Sequence, residues 1–493
     1  MVDAVTLLLV VVILFLAWKL IGLKRKEDPP GPFSYPFFGH RFLLKRLAKK
    51  YGSQHLAYFE LSKQYGNVIS LRLNNSDVYL VSGNKAIQSV LKNELYDGRP
   101  WSEFIRLRNM GKKQGITMND GAEWKEIRAW AVQTLKEFGF GKQTMSEMIK
   151  EEVSLALNDL KGGGVKVIKP VFSHAVMNVL WRFASGTRFC QDSRLEYFVD
   201  LMERRGRMFD ILGGVLSAFP WIRYIAPQAT GYNVLVKLNN ELRTFIMETV
   251  NEHRAKHVVG GEEDLIDKFL DEMVKTKETS SIYTVDQLVM ILVDLFLAGF
   301  TTTAITLDFA FLCMAMYPDV QRKLHEEIDA AIPFDRLPDL ADKPKLPYAE
   351  AVLTETMRMW PVFPVIGPRR VMGDTYLENY KIPKDGTVLM NIYSIFRDPN
   401  LYPEPELYKP ERFIKNGLFE PDVHSLTFGK GKRRCPGEVL ARAATFLLFV
   451  GIMQKFELRP VPGVGPTSIE IVSGITVSPK DYKLLVIQRQ PKQ

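Results

Sequence analysis

Apolar residues fall into three kinds of run along this chain. The first, residues 4–23 (AVTLLLVVVILFLAWKLIGL), is nearly unbroken. About 20 such residues suffice to cross a hydrocarbon core of roughly 30 Å as a helix. Its one charge, Lys19, sits near the C-terminal end, where a long side chain can reach the headgroups. The second kind repeats with helical period: residues 123–134, 146–160, 232–256, 285–316 and 319–331. Residues 285–316 are apolar nearly all round, which predicts a helix through the centre of the body rather than on its surface. The third kind alternates over short stretches, residues 68–73, 78–81, 387–390 and 482–488. The pattern predicts a chain that is mainly α with a small β portion.

Charge gives the first run an orientation. Only Asp3 precedes it, whereas Lys24, Arg25 and Lys26 follow, so the positive-inside rule places the N-terminus outside or in the lumen and the rest in the cytosol. A cleavable signal would need a basic leader and a small-residue cleavage site, and neither is present. Pro29-Pro30-Gly31-Pro32 stops the helix, because proline lacks an N–H and fixes φ; it predicts a short stiff spacer. Glycines at 162–164 and 260–261 read as loops between helices. No Pro/Gly/Ser-rich stretch divides the remainder. The expected organisation is a single transmembrane anchor over 1–23, a basic and Pro-rich linker over 24–38, and one large domain over 39–493.

Composition changes this picture little. The 493 residues are 46% hydrophobic and 25% charged, which excludes a disordered chain, a collagen and a polytopic membrane protein. The net charge of +9 is small for the length and implies no nucleic-acid partner. The three cysteines, Cys190, Cys313 and Cys435, exclude a disulfide framework and favour a reducing compartment. Cys190 and Cys313 read as small buried hydrophobes.

Cys435 reads differently. It lies in Phe428-Gly429-Lys430-Gly431-Lys432-Arg433-Arg434-Cys435-Pro436-Gly437, ahead of an apolar helix over 439–456. Glycines permit tight turns, and backbone N–H groups can point at the sulfur. Arg433, Arg434 and the helix N-terminus are expected to lower the thiol pKa. A thiolate is a nucleophile and a metal ligand.

This loop resembles the haem-ligand signature of the cytochrome P450 family, F-x-x-G-x-R-x-C-x-G. Its glycine and cysteine spacing alone should arise by chance in roughly one chain in a thousand of this composition. The resemblance implies the cytochrome P450 fold and haem b, with Cys435 as the axial thiolate of iron and Arg433 paired with a propionate; such ligation favours O–O cleavage. Other positions match in the family's order. Glu355-Thr356-Met357-Arg358 matches E-x-x-R and Pro410-Glu411-Arg412-Phe413 matches P-E-R-F, so Glu355, Arg358 and Arg412 are expected to form a structural ion-pair triad. Trp124 and Arg128 match W-x-x-x-R, and by resemblance both face a propionate; their i,i+4 spacing puts them on one helical face. Arg369 occupies a further position that often reaches a propionate. The match runs over essentially the whole chain and is similar to the animal microsomal branch, insect members in particular.

The central run carries Ala298-Gly299-Phe300-Thr301-Thr302-Thr303, against the family's A-G-x-(D/E)-T-T/S. By resemblance, Ala298 and Gly299 leave room for dioxygen and Thr302 relays protons, which a hydroxyl can do because it both donates and accepts. Thr301 departs from the pattern, standing where the family carries a carboxylate, and puts the usual proton entry in doubt. Phe296, Ala298, Phe300, Val365 and Ile475 are expected to line an apolar pocket.

Lys430, Lys432, Arg433, Arg434 and Arg442, with Lys125 and Lys136, predict a basic face suited to an acidic electron donor. The chain has no dinucleotide fingerprint of its own. The resemblance implies NADPH–haemoprotein reductase as donor, cytochrome b5 as a second, an apolar small-molecule substrate, and membrane lipid of the endoplasmic reticulum around the anchor. The implied activity is a monooxygenase, with epoxidation of methyl farnesoate in juvenile-hormone synthesis as the specific expectation. Steroid or xenobiotic hydroxylation, a haem-thiolate isomerase or dehydratase that does not use O2, and a non-catalytic haem carrier are the alternatives.

Overall fold

The structure, a computed structural model, describes residues 3–21, 27–35, 38–73, 76–189, 192–208, 216, 219–261, 263–276 and 282–491. Cys190 and the cluster Lys24, Arg25 and Lys26 lie outside these. The expected mainly α fold with a small β portion is the one found. Residues read from sequence as one domain over 39–493 fall into two compact units: residues 1–98 with 365–394, and residues 99–364 with 395–493.

The first unit begins with helix α1 (Ala4–Ile21), whose large side chains from Val5 to Phe15 are exposed. The Pro-rich segment is no free spacer. Pro29 and Pro32 are buried; the Pro30 carbonyl accepts from Ser70 N at 2.8 Å and the Pro32 carbonyl lies 2.9 Å from His40 Nε2. Proline keeps its carbonyl as an acceptor, so a stiff segment lacking donors can still dock by its acceptors. Helix α2 (Arg41–Tyr51) follows, and Gly52, at φ 86°, ends it in the left-handed conformation. The unit's sheet has the order β1 (Val68–Leu73), β2 (Ser76–Ser82), β4 (Thr387–Asn391), β3 (Val365–Arg370). β1 and β2 form a hairpin in which Val68 faces Val81; β2 and β4 run parallel; β3 is antiparallel to β4 with an irregularity between Ile366 and Arg369.

The second unit is a helical core. Its helices α3 (Gly121–Glu137), α4 (Gln143–Leu160), α5 (Lys169–Ser185), α6 (Val285–Met316), α7 (Pro347–Met359) and α8 (Glu438–Lys455) pack into one continuous apolar cluster. α6 starts where Thr284 Oγ1 accepts from Gln287 N, and Tyr317-Pro318 ends it. At 32 residues it is long enough for a membrane, yet 61% of its most apolar window is buried in protein, which makes it the core helix its all-round apolarity predicts. Two glycines set how closely helices cross. A Cβ at Gly299 would stand 2.8 Å from Leu180 Cδ2 on α5, and one at Gly451 would stand 2.5 Å from Val153 Cγ1 on α4. A three-stranded sheet, Phe456–Pro460 beside Leu484–Gln488 beside Gly164–Lys166, closes the unit.

Candidate functional site

The loop before α8 is shaped by two glycines in the left-handed region, Gly429 at φ 68° and Gly431 at φ 75°. The turn closes where Cys435 N donates to the Phe428 carbonyl at 2.9 Å. Cys435 is exposed, but protein crowds it on several sides, and this burial pushes its thiol above the ordinary value. The Gly437 N–H, at the start of α8, works against the shift, as do Arg128 and Arg434, while the Glu438 carboxylate reinforces it. The expectation that Arg433 and Arg434 would leave the thiol low is therefore corrected. Desolvation outweighs the cations, and Arg434 is drawn to Glu438 at 2.7 Å.

Arg433 instead lies on the face of Trp124, its guanidinium carbon 3.4 Å from the ring centroid; that of Arg128 is 5.7 Å from the same ring. Arg128 also donates through Nη2 to the Arg434 carbonyl. Trp124, Arg128 and Arg433 are thus brought together beside the Cys435 loop. The Trp124 indole N–H donates to the Ile116 carbonyl at 3.0 Å. Arg369 belongs to the other unit, where it pairs with Asp97 at 2.8 Å.

On α6 Ala298 is exposed and forms a partly open stripe with Asp294, Thr301 and Thr302; Leu295, Leu297 and Gly299 beside them are also only partly buried. Thr302 Oγ1 donates to the Ala298 carbonyl at 2.7 Å, the back-bond usual for a helical threonine. Thr301 Oγ1 has no hydrogen-bond partner among the described residues. Two expectations change here, at Phe296 and Phe300. A Cβ on Gly299 would press on Leu180 of α5, a packing reason for glycine that stands beside the room for dioxygen implied by the resemblance. Phe296 stacks on Trp181 at 5.5 Å and meets Phe198 edge-on at 5.1 Å, and Phe300 is equally buried. The helical period puts 296 and 300 on the core side of the stripe, so they are core residues and not pocket lining. Ala298, by contrast, is exposed on the open stripe. Ile475 packs at the edge of a small cluster built on Phe104, Leu216 and Leu235; Val365 lies in the other unit.

Asp294 is a residue the sequence reading passed over. Its Oδ2 accepts from Ile116 N at 2.7 Å and from Thr117 N at 2.8 Å, and desolvation pushes its carboxyl up. A lone aspartate inside VMILVDLFLAGF was the available signal. It ties α6 to the backbone that holds the Trp124 indole.

The expected ion-pair triad forms. Arg358 Nε and Nη2 donate to Glu355 at 2.7 and 2.9 Å, and Arg412 Nε donates to Glu355 Oε1 at 3.1 Å. The Arg358 and Glu355 side chains are fully buried. Arg358 also donates to the carbonyls of Phe396, Pro405 and Leu407, so it fixes the segment that leads toward the cysteine loop. Cys313 fits the core role expected of it: it is fully buried, and burial drives its thiol well up.

An accessible thiol, two guanidiniums on one indole and an opened stripe on a buried helix fit a flat anionic macrocycle whose metal takes a soft sulfur ligand. Together with the mainly α fold they define a haem-thiolate protein. The family model for cytochrome P450 matches residues 29–486. The chain is 36% identical to a probable cytochrome P450 305a1 of Drosophila melanogaster over 99% of this chain and all of that one. It is 34% identical to a farnesoate epoxidase of Bombyx mori (98% and 99% of the two chains) and 33% identical to cytochrome P450 2J3 of Rattus norvegicus (98% and 96%). The chain belongs to the cytochrome P450 family; it is a monooxygenase-class oxidoreductase whose cofactor is haem b.

Proposed function

We propose that this protein is a monooxygenase anchored by α1 in the endoplasmic reticulum membrane, with electrons from NADPH supplied by NADPH–haemoprotein reductase and, as a second donor, cytochrome b5. Its substrate is apolar and lipid-like, and methyl farnesoate, taken to its epoxide, is the specific assignment. The accessible Cys435 thiol beside Trp124, Arg128 and Arg433 carries the reading. The Bombyx mori farnesoate epoxidase, alike over nearly its whole length, supports the choice of substrate. The run of exposed apolar side chains on α1 supports the anchor.

Haem, when bound, supplies the redox chemistry that splits O2, one atom going to substrate and one to water. The residues of this chain do the rest. Cys435 holds the metal through sulfur, with the Gly437 N–H donating to that sulfur. Arg128 and Arg433 supply positive charge for the propionates, and Trp124 gives them a flat surface; Arg369 is assigned the same task by resemblance alone. Thr302 keeps its proton on the Ala298 carbonyl and offers the lone pairs of Oγ1 to a proton donor. The Thr301 hydroxyl stands where relatives of the family pattern carry an acid, so protons reach Thr302 through water and not a neighbouring carboxylate. Of the basic face, Arg434 and Arg442 both pair with Glu438; Lys430, Lys432, Lys125 and Lys136 complete the face proposed to meet an acidic donor.

The reduced protein with carbon monoxide is expected to show the red-shifted Soret band of thiolate ligation, and Cys435→Ser to lose it; an unchanged band removes the assignment. Methyl farnesoate with reductase, NADPH and O2 should yield an epoxide, and Thr302→Ala should consume NADPH without matching product. A spin-state screen over terpenoids, steroids and drugs separates the hydroxylase alternative. Thr301 in place of an acid favours one second reading, an isomerase or dehydratase, and turnover without O2 or NADPH would establish it.

A further inference from the structure

The helix Tyr232–Lys256 is joined to the helix Leu265–Lys275 by HVVGGEED over 257–264. Three side chains converge where the first helix ends and the second begins. His253 Nε2, a carboxylate oxygen of Asp264 and one of Asp267 lie within 4.8 Å of one another. Asp264 is the N-cap of the second helix, and its Oδ1 accepts from Asp267 N at 3.0 Å. Its Oδ2 faces His253 Nε2 at 3.0 Å.

The imidazole is held as metal-ligating imidazoles are. His253 Nδ1 lies 2.8 Å from the Thr249 carbonyl, which can only accept, so the bond assigns a hydrogen to Nδ1. Anchoring one ring N–H on a backbone carbonyl leaves the other nitrogen to ligate. In the neutral ring, Nε2 and Asp264 Oδ2 would then present lone pairs to each other, so a positive charge must stand between them. Without metal that charge is a proton: burial opposes it, but the bonds to Asp264 and Thr249 outweigh burial and raise the imidazole to about 9. A divalent ion competes for the same place.

Charge and shape favour such an ion. Among the described residues no lysine or arginine pairs with Asp264 or Asp267; the ion pair that reaches them is His253 with Asp264. Asp267 otherwise feels the charge of His257 and a bond from the Glu263 N–H, which leaves a carboxylate lone pairs to spare. One turn on, the balance differs: Asp271 pairs with His257 at 3.0 Å and with Lys275 at 3.6 Å. Gly186, at φ 68°, ends α5 beside the cluster, and a Cβ there would stand 3.1 Å from Asp264 Oδ2. The left-handed φ alone selects glycine; the missing Cβ also leaves that oxygen unobstructed. His253 and Asp267 are partly exposed, so an ion and its water can enter.

We propose that His253, Asp264 and Asp267 form a site for a zinc-type divalent ion, with water as the fourth ligand, that clips the end of one helix to the start of the next. Zinc takes imidazole nitrogen and carboxylate oxygen at about 2.0–2.2 Å, which sets tetrahedral ligand atoms about 3.4 Å apart. The His253–Asp264 spacing is already close to this, and rotation of the Asp267 side chain closes the rest. Imidazole selects against magnesium and calcium, which take oxygen ligands. The site shares no residue with the Cys435 site and does not depend on the substrate assigned above.

The test uses the full haem-loaded chain, stripped with EDTA and dialysed against zinc chloride, with bound zinc counted per haem. Zinc-edge X-ray absorption reads the ligands separately from the haem iron. One zinc per chain should bind, with nitrogen and oxygen neighbours, one imidazole and no sulfur, and should raise the Tm. Asp267→Asn leaves the N-cap bond of Asp264 in place. It and His253→Gln should each retain the carbon monoxide band yet weaken zinc binding by about tenfold or more. Glu263→Gln, just outside the cluster, should leave zinc affinity unchanged. Zinc held equally by the parent and by Asp267→Asn is an adventitious ion only and overturns the proposal. So do sulfur neighbours, or a loss in Glu263→Gln as large as that in Asp267→Asn. Absence of stoichiometric binding overturns it as well, and leaves His253 and Asp264 an imidazolium–carboxylate pair.

Discussion

The Arg433 guanidinium rests on the face of Trp124 at 3.4 Å from the ring centroid. A cation over an indole is worth about 0.5–2 kcal/mol, depending on desolvation. A double-mutant cycle of Trp124→Leu and Arg433→Gln, followed by thermal loss of the Soret band, should give a coupling of about 1 kcal/mol. Additive effects would mean that the stack is incidental.

Asp294 acts on the same indole at its N–H, through Ile116. Asp294→Ala strands two backbone N–H groups, a loss of roughly 2–4 kcal/mol. The expected result is a lower haem content per chain and a lower Tm. Asp294→Asn, whose amide oxygen can still accept, should recover most of both. If alanine and asparagine behave alike, the carboxylate does not position the loop through those bonds.

Gly299→Ala pushes a methyl group against Leu180. Overpacking of this kind costs about 1–3 kcal/mol. Because the clash is with the tip of a side chain, Leu180→Val should restore stability in the double variant. Product coupling should follow Thr302, not Gly299; a Gly299→Ala protein that is stable but uncoupled would place this glycine at the oxygen site as well.

Asp308 supplies a pH signature. It is buried, donated to by the Tyr482 hydroxyl at 2.6 Å, and desolvation raises its carboxyl to about 7. The folded state therefore holds this proton over a range in which the unfolded chain, near 3.9, has lost it. The stabilisation is complete below the unfolded value and declines as pH rises toward 7. Asp308→Asn keeps an acceptor for Tyr482 but does not titrate. Its Tm relative to the parent should climb between about pH 4 and 7 (test conditions, about 4 kcal/mol as a ceiling). A pH-independent difference would show that Asp308 stays charged.

How far the sequence carried depended on whether a feature is written in local spacing. The core helix over 285–316 and the strand over 68–73 coincide with α6 and β1, because their composition and period are local. The cysteine loop was legible for the same reason, its glycines and sulfur being fixed by turn geometry. Lys169–Ser185 buries residues on every side, so it carries no polar stripe to announce it. The thiol's environment was not legible: charge counting named Arg433 and Arg434 but could not weigh desolvation or foresee Glu438. Nor could motif matching separate the two small residues before Thr302. Ala298 is open and Gly299 is a helix crossing, a difference made by Leu180, over a hundred positions away.

The docked proline segment has a consequence for encounter. Docking begins at Glu27, whose carbonyl accepts from Lys381 N, and continues through Pro30 and Pro32. Five residues, 22–26, separate it in sequence from the end of α1, and five residues of any conformation reach at most about 20 Å. With α1 in a bilayer, as proposed, so short a connection holds the docked segment within that reach of one leaflet. Meetings with a membrane-bound electron donor, or with a molecule dissolved in lipid, then become a search in two dimensions. Their rates are set by surface density and lateral diffusion, and lengthening residues 22–26 would dilute the protein against its own membrane without altering any contact at the sulfur.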